Sequence, residues 1–89
     1  MLEGADLSGC NFERSDLRGA NLKSALLAGA NLRQANLGLD NLGGSTRLQG
    51  ADLTGAILNQ CNLVGAEYDS NTQFPKGFDP ESAGMINTD

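Results

Sequence analysis

A leucine or phenylalanine returns at every fifth position in the first half of the chain: Leu7, Phe12, Leu17, Leu22, Leu27, Leu32, Leu37 and Leu42. Two residues before these stands a small side chain, in order Ala5, Cys10, Ser15, Ala20, Ala25, Ala30 and Ala35, the last serving Leu37. A period of five fits neither regular element. An α-helix turns about 100° per residue and would scatter these leucines around its cylinder. A strand alternates faces, so residues five apart would point to opposite sides of a sheet. The pattern predicts a backbone that bends once per quintet and turns every central leucine toward a common axis, with the small residues also facing a narrow interior. The position before the leucine is polar, Asp or Asn at 6, 11, 16, 21, 31, 36 and 41, suited to solvent and to bonding local backbone at a bend. Leu26 is the exception. Two residues after the leucine, Gly9, Gly19 and Gly29 alternate with Arg14, Ser24 and Gln34, as at an outward corner.

The fives slip between Leu42 and Leu48. Continued without a break, they would place Arg47 at a central inward position, and Asp40 already falls on a small inward one; an unpaired buried charge is prohibitive in either place. The chain is therefore expected to leave its path within residues 38–47, GLDNLGGSTR. A one-residue bulge would leave Leu42 inward in one column with Leu63; a larger loop would begin after Leu37. Such a loop is a tolerated insertion or a partner contact. Without the strand, helix and lysine of a P-loop it gives no phosphate cradle. The fives resume at Leu48, Leu53, Leu58, Leu63 and Tyr68, with Ala51, Ala56, Cys61 and Ala66 at the small positions.

The motif A-[DN]-L-x-G, in copies such as ADLSG, ANLKS, ANLRQ and ADLTG, resembles the pentapeptide-repeat proteins over about three quarters of the chain. The resemblance implies an all-β fold, a right-handed quadrilateral β-helix with four quintets per coil and about three coils. Residues twenty apart would then stack at about 4.8 Å, giving columns such as Leu2, Leu22 and Leu42. Counted this way, Cys10 and Cys61 lie on opposite sides and about two coils apart, too far for a disulfide. They read as buried thiols in place of alanine. Family members that mimic DNA and act on type II topoisomerases make that an alternative role.

Residues 1–70 form the repeat and residues 71–89 a C-terminal cap and frayed tail. The tail holds both prolines and two of the three phenylalanines. Asp79 as N-cap, Pro80 at the first helical position and Gly84 as the stop predict one short helical turn, with Phe74, Phe78, Met85 and Ile86 covering the last coil. Met1 to Gly4 is already in phase, so the first coil is expected to be open, either pairing with a second copy as a homodimer or continuing a longer array.

Charge and composition narrow the function. The net charge of −5 divides into −3 over residues 1–70 and −2 over the remainder, which opposes direct nucleic-acid binding. With no histidine and no closely spaced cysteine pair, neither a catalytic base, a zinc site nor a cofactor is expected. No apolar run reaches membrane-spanning length and no signal-peptide layout opens the chain, so the default is cytoplasmic, a removed leader aside. The expectation is a non-catalytic protein-interaction module with an unidentified protein partner.

Overall fold

The chain winds as a four-sided β-helix in which each side is one quintet. A computed structural model describes residues 2–89; Met1, placed in phase above, lies outside them. Asp6 pairs with Leu26, Asn11 with Asn31 and Asp16 with Asn36, all parallel and twenty residues apart, so four quintets close one coil. The next coil follows at a longer interval: Asn21 pairs with Arg47, Leu26 with Asp52, Asn31 with Ile57 and Asn36 with Asn62, twenty-six residues apart. The interval returns to twenty at Arg47 and Glu67. Six extra residues are thus inserted after Leu37. This corrects the one-residue bulge, and the first column runs Leu2, Leu22, Leu48 rather than through Leu42.

One hydrogen-bond scheme repeats along each side. The central N–H donates to the next coil, as Leu7 does to Leu26 O at 2.7 Å, and that coil donates back, Leu26 N–H to Ala5 O at 2.8 Å. At the corner a four-residue turn closes, Cys10 N–H to Leu7 O at 3.1 Å. Its third residue has positive φ, +71° at Gly9, as a type II turn requires. The polar residue before the leucine stabilises that turn from outside, Asn11 Oδ1 accepting the Glu13 N–H at 3.0 Å and Asn31 Oδ1 the Arg33 N–H at 3.1 Å. Asp and Asn recur there because their side-chain oxygen reaches a backbone N–H two residues on, a bond that Ser and Thr make only more weakly. Bending every five residues leaves the coils joined by single-residue bridges, with one two-residue pair, β1 (Glu67–Tyr68) and β2 (Ile86–Asn87), parallel in the register Glu67 to Ile86.

The core occupies the second and third coils. Leu22, Leu27, Leu32, Leu37, Leu48, Leu53, Leu63 and Tyr68 are buried, as are Ala25, Ala30, Ala35, Ala51, Ala56 and Ala66. Leu7, Phe12, Leu17 and Leu58 are half-buried, with Ala5, Cys10, Ser15, Ala20 and Cys61. Leu42 is the correction: it is 96% exposed, because it belongs to the inserted residues and not to the spiral. Cys10 and Cys61 also move. Cys10 precedes Asn11, in the column of Asn31 and Ile57, and Cys61 precedes Asn62, in the neighbouring column of Asp16 and Asn36. They are therefore on adjacent sides rather than opposite ones, and both are free. Burial pushes the Cys61 thiol up to about 11, leaving little thiolate at neutral pH.

The spiral continues past Tyr68 with one further extra residue, since Asp52 pairs with Gln73. Thr72, Gln73 and Phe74 take the small, polar and central positions, and Thr72 Oγ1 donates to Leu48 O at 2.8 Å. Phe74 meets Tyr68 edge-on at 5.6 Å and stacks with Phe78 at 5.1 Å. Beyond it, the expected helical turn is absent. Asp79 caps locally, accepting from Glu81 N–H at 3.0 Å and Ser82 Oγ at 2.8 Å. Gly84 then turns at φ +81°, and Met85 N–H returns to Pro80 O at 3.1 Å, so residues 80–84 are turns. Met85 is buried against the core and Pro80 half-buried, whereas Ile86 is 52% exposed. Ile86 is therefore only a partial cover; it closes the coil through its backbone, Ile86 N–H to Ala66 O at 2.8 Å.

Candidate functional site

The inserted residues form a loop at the corner after Leu37, and three polar side chains hold it. Asp40 organises it from within. Its Oδ1 accepts the N–H groups of Leu42 at 2.9 Å and Gly44 at 2.6 Å, while its N–H donates to Gly44 O at 2.9 Å and its carbonyl accepts from Gly43 at 3.1 Å. The fit requires a missing side chain: a Cβ on Gly44 would fall 2.5 Å from Asp40 Oδ2. Thr46 anchors the loop from below. Fully buried at the small inward position two before Leu48, it accepts the Gly19 N–H at 3.0 Å and faces the carbonyls of Leu17 at 3.0 Å and Gly38 at 3.3 Å with its single proton. Arg18 braces the side, its Nη1 donating to Asn41 Oδ1 at 3.2 Å.

Leu42 projects from the tip of this braced loop. Leu39 and Val64 are also exposed, at 46% and 60%, and Leu39 lies over Gly65, where a Cβ would sit 2.8 Å from Leu39 Cδ2. Asp16, Arg18, Asp40, Asn41 and Leu42 line a shallow recess of about 320 Å³ beside the tip. The site therefore offers an apolar knob with a polar margin. Among the described residues no group of three or more Cys, Asp or Glu could hold a metal ion, and no helix is long and apolar enough to cross a membrane.

The margin has one measurable electrostatic signature. Arg18 Nε and Nη2 donate to Asp16 Oδ1 at 2.9 Å and Oδ2 at 2.8 Å, and together with the Arg18 N–H they hold the exposed Asp16 carboxyl at about 2. A depressed carboxyl favours the folded state above its ordinary value near 3.8, and that contribution is lost as the pH falls through 2. The Asp16 side-chain carbon should titrate near pH 2 by NMR and return toward 3.8 in Arg18→Ala; an unchanged midpoint in the variant would remove Arg18 as the cause.

The corner opposite in character is the third, where Arg14, Gln34 and Gln60 stack. Arg14 Nε donates to Gln34 Oε1 at 2.7 Å and Gln34 Nε2 to Gln60 Oε1 at 2.8 Å. All three hold φ near +60°, a conformation that costs a non-glycine residue about 1 kcal/mol or more. Neither this stripe nor Thr46 was singled out from the sequence. The stripe is visible there only once the six-residue insertion is known, because Gln34 and Gln60 then fall in one column.

The family model for pentapeptide repeats matches the chain in eight copies over residues 2–38 and 46–67, and the unmatched gap between them is the loop. Among solved structures the chain is similar to Rfr23, a pentapeptide repeat protein from the cyanobacterium Cyanothece 51142, at 43% identity with a TM-score of 0.67. That match covers 78% of this chain and 43% of the other. It is also similar to HetL, a pentapeptide repeat protein involved in heterocyst differentiation regulation from Nostoc sp. strain PCC 7120, at 31% identity with a TM-score of 0.69. There 91% of this chain and 33% of HetL are covered, so the chain spans less than half the length of either protein. No curated protein matches it.

Proposed function

Because the chain belongs to the pentapeptide-repeat family, we propose that it is a non-catalytic protein-interaction module whose principal contact is the loop bearing Leu42. One observation carries this reading: a leucine side chain left 96% exposed on a loop whose tip is tied down by Asp40, which accepts the N–H groups of Leu42 and Gly44. Leaving an isolated leucine in water gains nothing for folding. Burying it against a partner would contribute about 1.5 kcal/mol or more. The bracing by Asp40, Thr46 and Arg18 means that little conformational entropy remains to be lost on docking. Leu39 and Val64 extend the apolar area on the same corner, and the Asp16–Arg18 pair supplies a polar rim, the arrangement of a small interface with a central anchor. HetL shares this coil and takes part in regulating a differentiation process; the role assigned here is the narrower one of presenting a contact.

The test is quantitative capture from a native extract with the tagged chain and its Leu42→Asp variant. Proteins bound through the loop should fall about tenfold with the variant, while circular dichroism and thermal unfolding stay unchanged, since the side chain touches no core. Equal capture by both chains would refute the loop as the contact.

A further inference from the structure

The third corner of the spiral is built from residues that its backbone disfavours. The equivalent turn position holds Gly9, Gly29 and Gly55 at the second corner and Gly19 and Gly65 at the fourth, with φ between 70° and 81°. At the first, Ser24 stands between Gly4 and Gly50. Only the third corner has no glycine in any of three coils: Arg14, Gln34 and Gln60 sit at φ 62°, 58° and 59°.

The stripe that these residues form has a direction fixed by chemistry. Arg14 Nε carries a hydrogen and can only donate, so Gln34 must turn its Oε1 toward it and its Nε2 toward Gln60, whose Oε1 then accepts. Donation runs one way, and unused donors are left at both ends. At one end are the two terminal nitrogens of Arg14, held in plane by the bond at Nε and suited to a carboxylate. At the other is Gln60 Nε2. Among the described residues the single ion pair is Arg18 with Asp16, which leaves Arg14 and Arg33 on this side of the spiral without a carboxylate. With Arg14, the outward positions of this side (Asn11, Glu13, Asn31, Arg33, Ile57 and Asn59) hold one acid and two bases, a net +1 on a chain of charge −5.

We infer that this corner is a second interaction surface, for an extended acidic segment of a partner protein. Two steps between coils separate Arg14 from Gln60, about 9.6 Å at the spacing of a β-ladder. A polyproline II segment advances about 9.3 Å in three residues and returns to the same face. Acidic side chains three residues apart therefore meet Arg14 and Gln60 together, the first as a charge-assisted bond and the second as an amide bond. A nucleic acid is the poorer occupant, because the remainder of the surface is negative.

The experiment is an NMR titration of the full chain with an oligo(Pro-Pro-Glu) peptide, alongside oligo(Pro-Pro-Gln) and oligo(dT). Saturable shifts of the Arg14 Nε–H and of the Gln34 and Gln60 side-chain amides are expected with the glutamate peptide. Its affinity should fall roughly tenfold in Arg14→Gln. Gln60→Gly relieves the backbone, so it should weaken the peptide severalfold without lowering the thermal midpoint. The inference is overturned by equal binding of oligo(Pro-Pro-Gln), by preference for oligo(dT), by absence of shifts at these groups, or by a Gln60→Gly variant that loses thermal stability while binding the peptide unchanged.

Discussion

Leu32→Ala is expected to lower the unfolding free energy by about 2 to 5 kcal/mol, toward the upper end of the range for core truncations. Leu32 has no exposed surface and lies in the second coil, between Phe12 of the first and Leu58 of the third. How much a truncation costs depends on how far the site can collapse. Here the walls are backbone: Asn31 N–H donates to Cys10 O at 2.9 Å, Leu32 N–H to Ile57 O at 2.9 Å and Ile57 N–H to Ala30 O at 2.9 Å. These bonds fix the spacing of the coils on both sides, so the cavity left by the missing isobutyl group stays open. A chain of this size has only about 5 to 13 kcal/mol in total, and the loss should appear as a large drop in the urea midpoint followed by circular dichroism. Leu42→Ala removes the same atoms from solvent and should leave that midpoint in place. Equal midpoints for the two variants would contradict the assignment of inside and outside.

The contrast between those two leucines also marks how far the sequence could be read. Leu37 and Leu48 are eleven residues apart, which is two quintets with one residue over or one quintet with six over. Apolar periodicity is identical in both cases, so it could not place Leu42. Asp40 could have. With Leu42 inward, Asp40 would take the small buried position two before it, and the structure avoids that by lifting the whole segment out and using the carboxylate to bond the Leu42 and Gly44 N–H groups. The tail failed for a different reason. Asp79 makes the capping contacts that its position predicts, but too few residues follow to repay helix nucleation, and Met85 and Ile86 are drawn back to the last coil. The period of five, by contrast, needed no tertiary information, because the central residues recur with a small residue two before them and, at most positions, a polar neighbour just before them. What the loop contributes to a contact was less legible: Thr46 looks like one more small residue until its hydroxyl is seen facing three backbone groups.

Thr46→Val should accordingly destabilise the protein by about 2 to 3 kcal/mol although it preserves shape and volume. Valine places a methyl where Thr46 Oγ1 now accepts the Gly19 N–H and donates toward Leu17 O and Gly38 O. Thr46 is fully buried, so valine's methyl would face the Gly19 N–H in place of the lost acceptor, and a buried backbone N–H left unpaired costs about 1 to 3 kcal/mol by itself. The loop begins and ends at the groups this hydroxyl joins. Its release should therefore raise hydrogen exchange at the Leu42 and Gly44 amides by about tenfold or more, beyond any rise at Leu27 or Leu53. Serine provides the decisive comparison. Thr46→Ser keeps the hydroxyl and loses only a buried methyl, about 1 kcal/mol, so it should be more stable than Thr46→Val despite being smaller and more polar. The reverse order would show that Thr46 acts by filling space, and the loop would then present Leu42 without the anchor on which its pre-organisation rests.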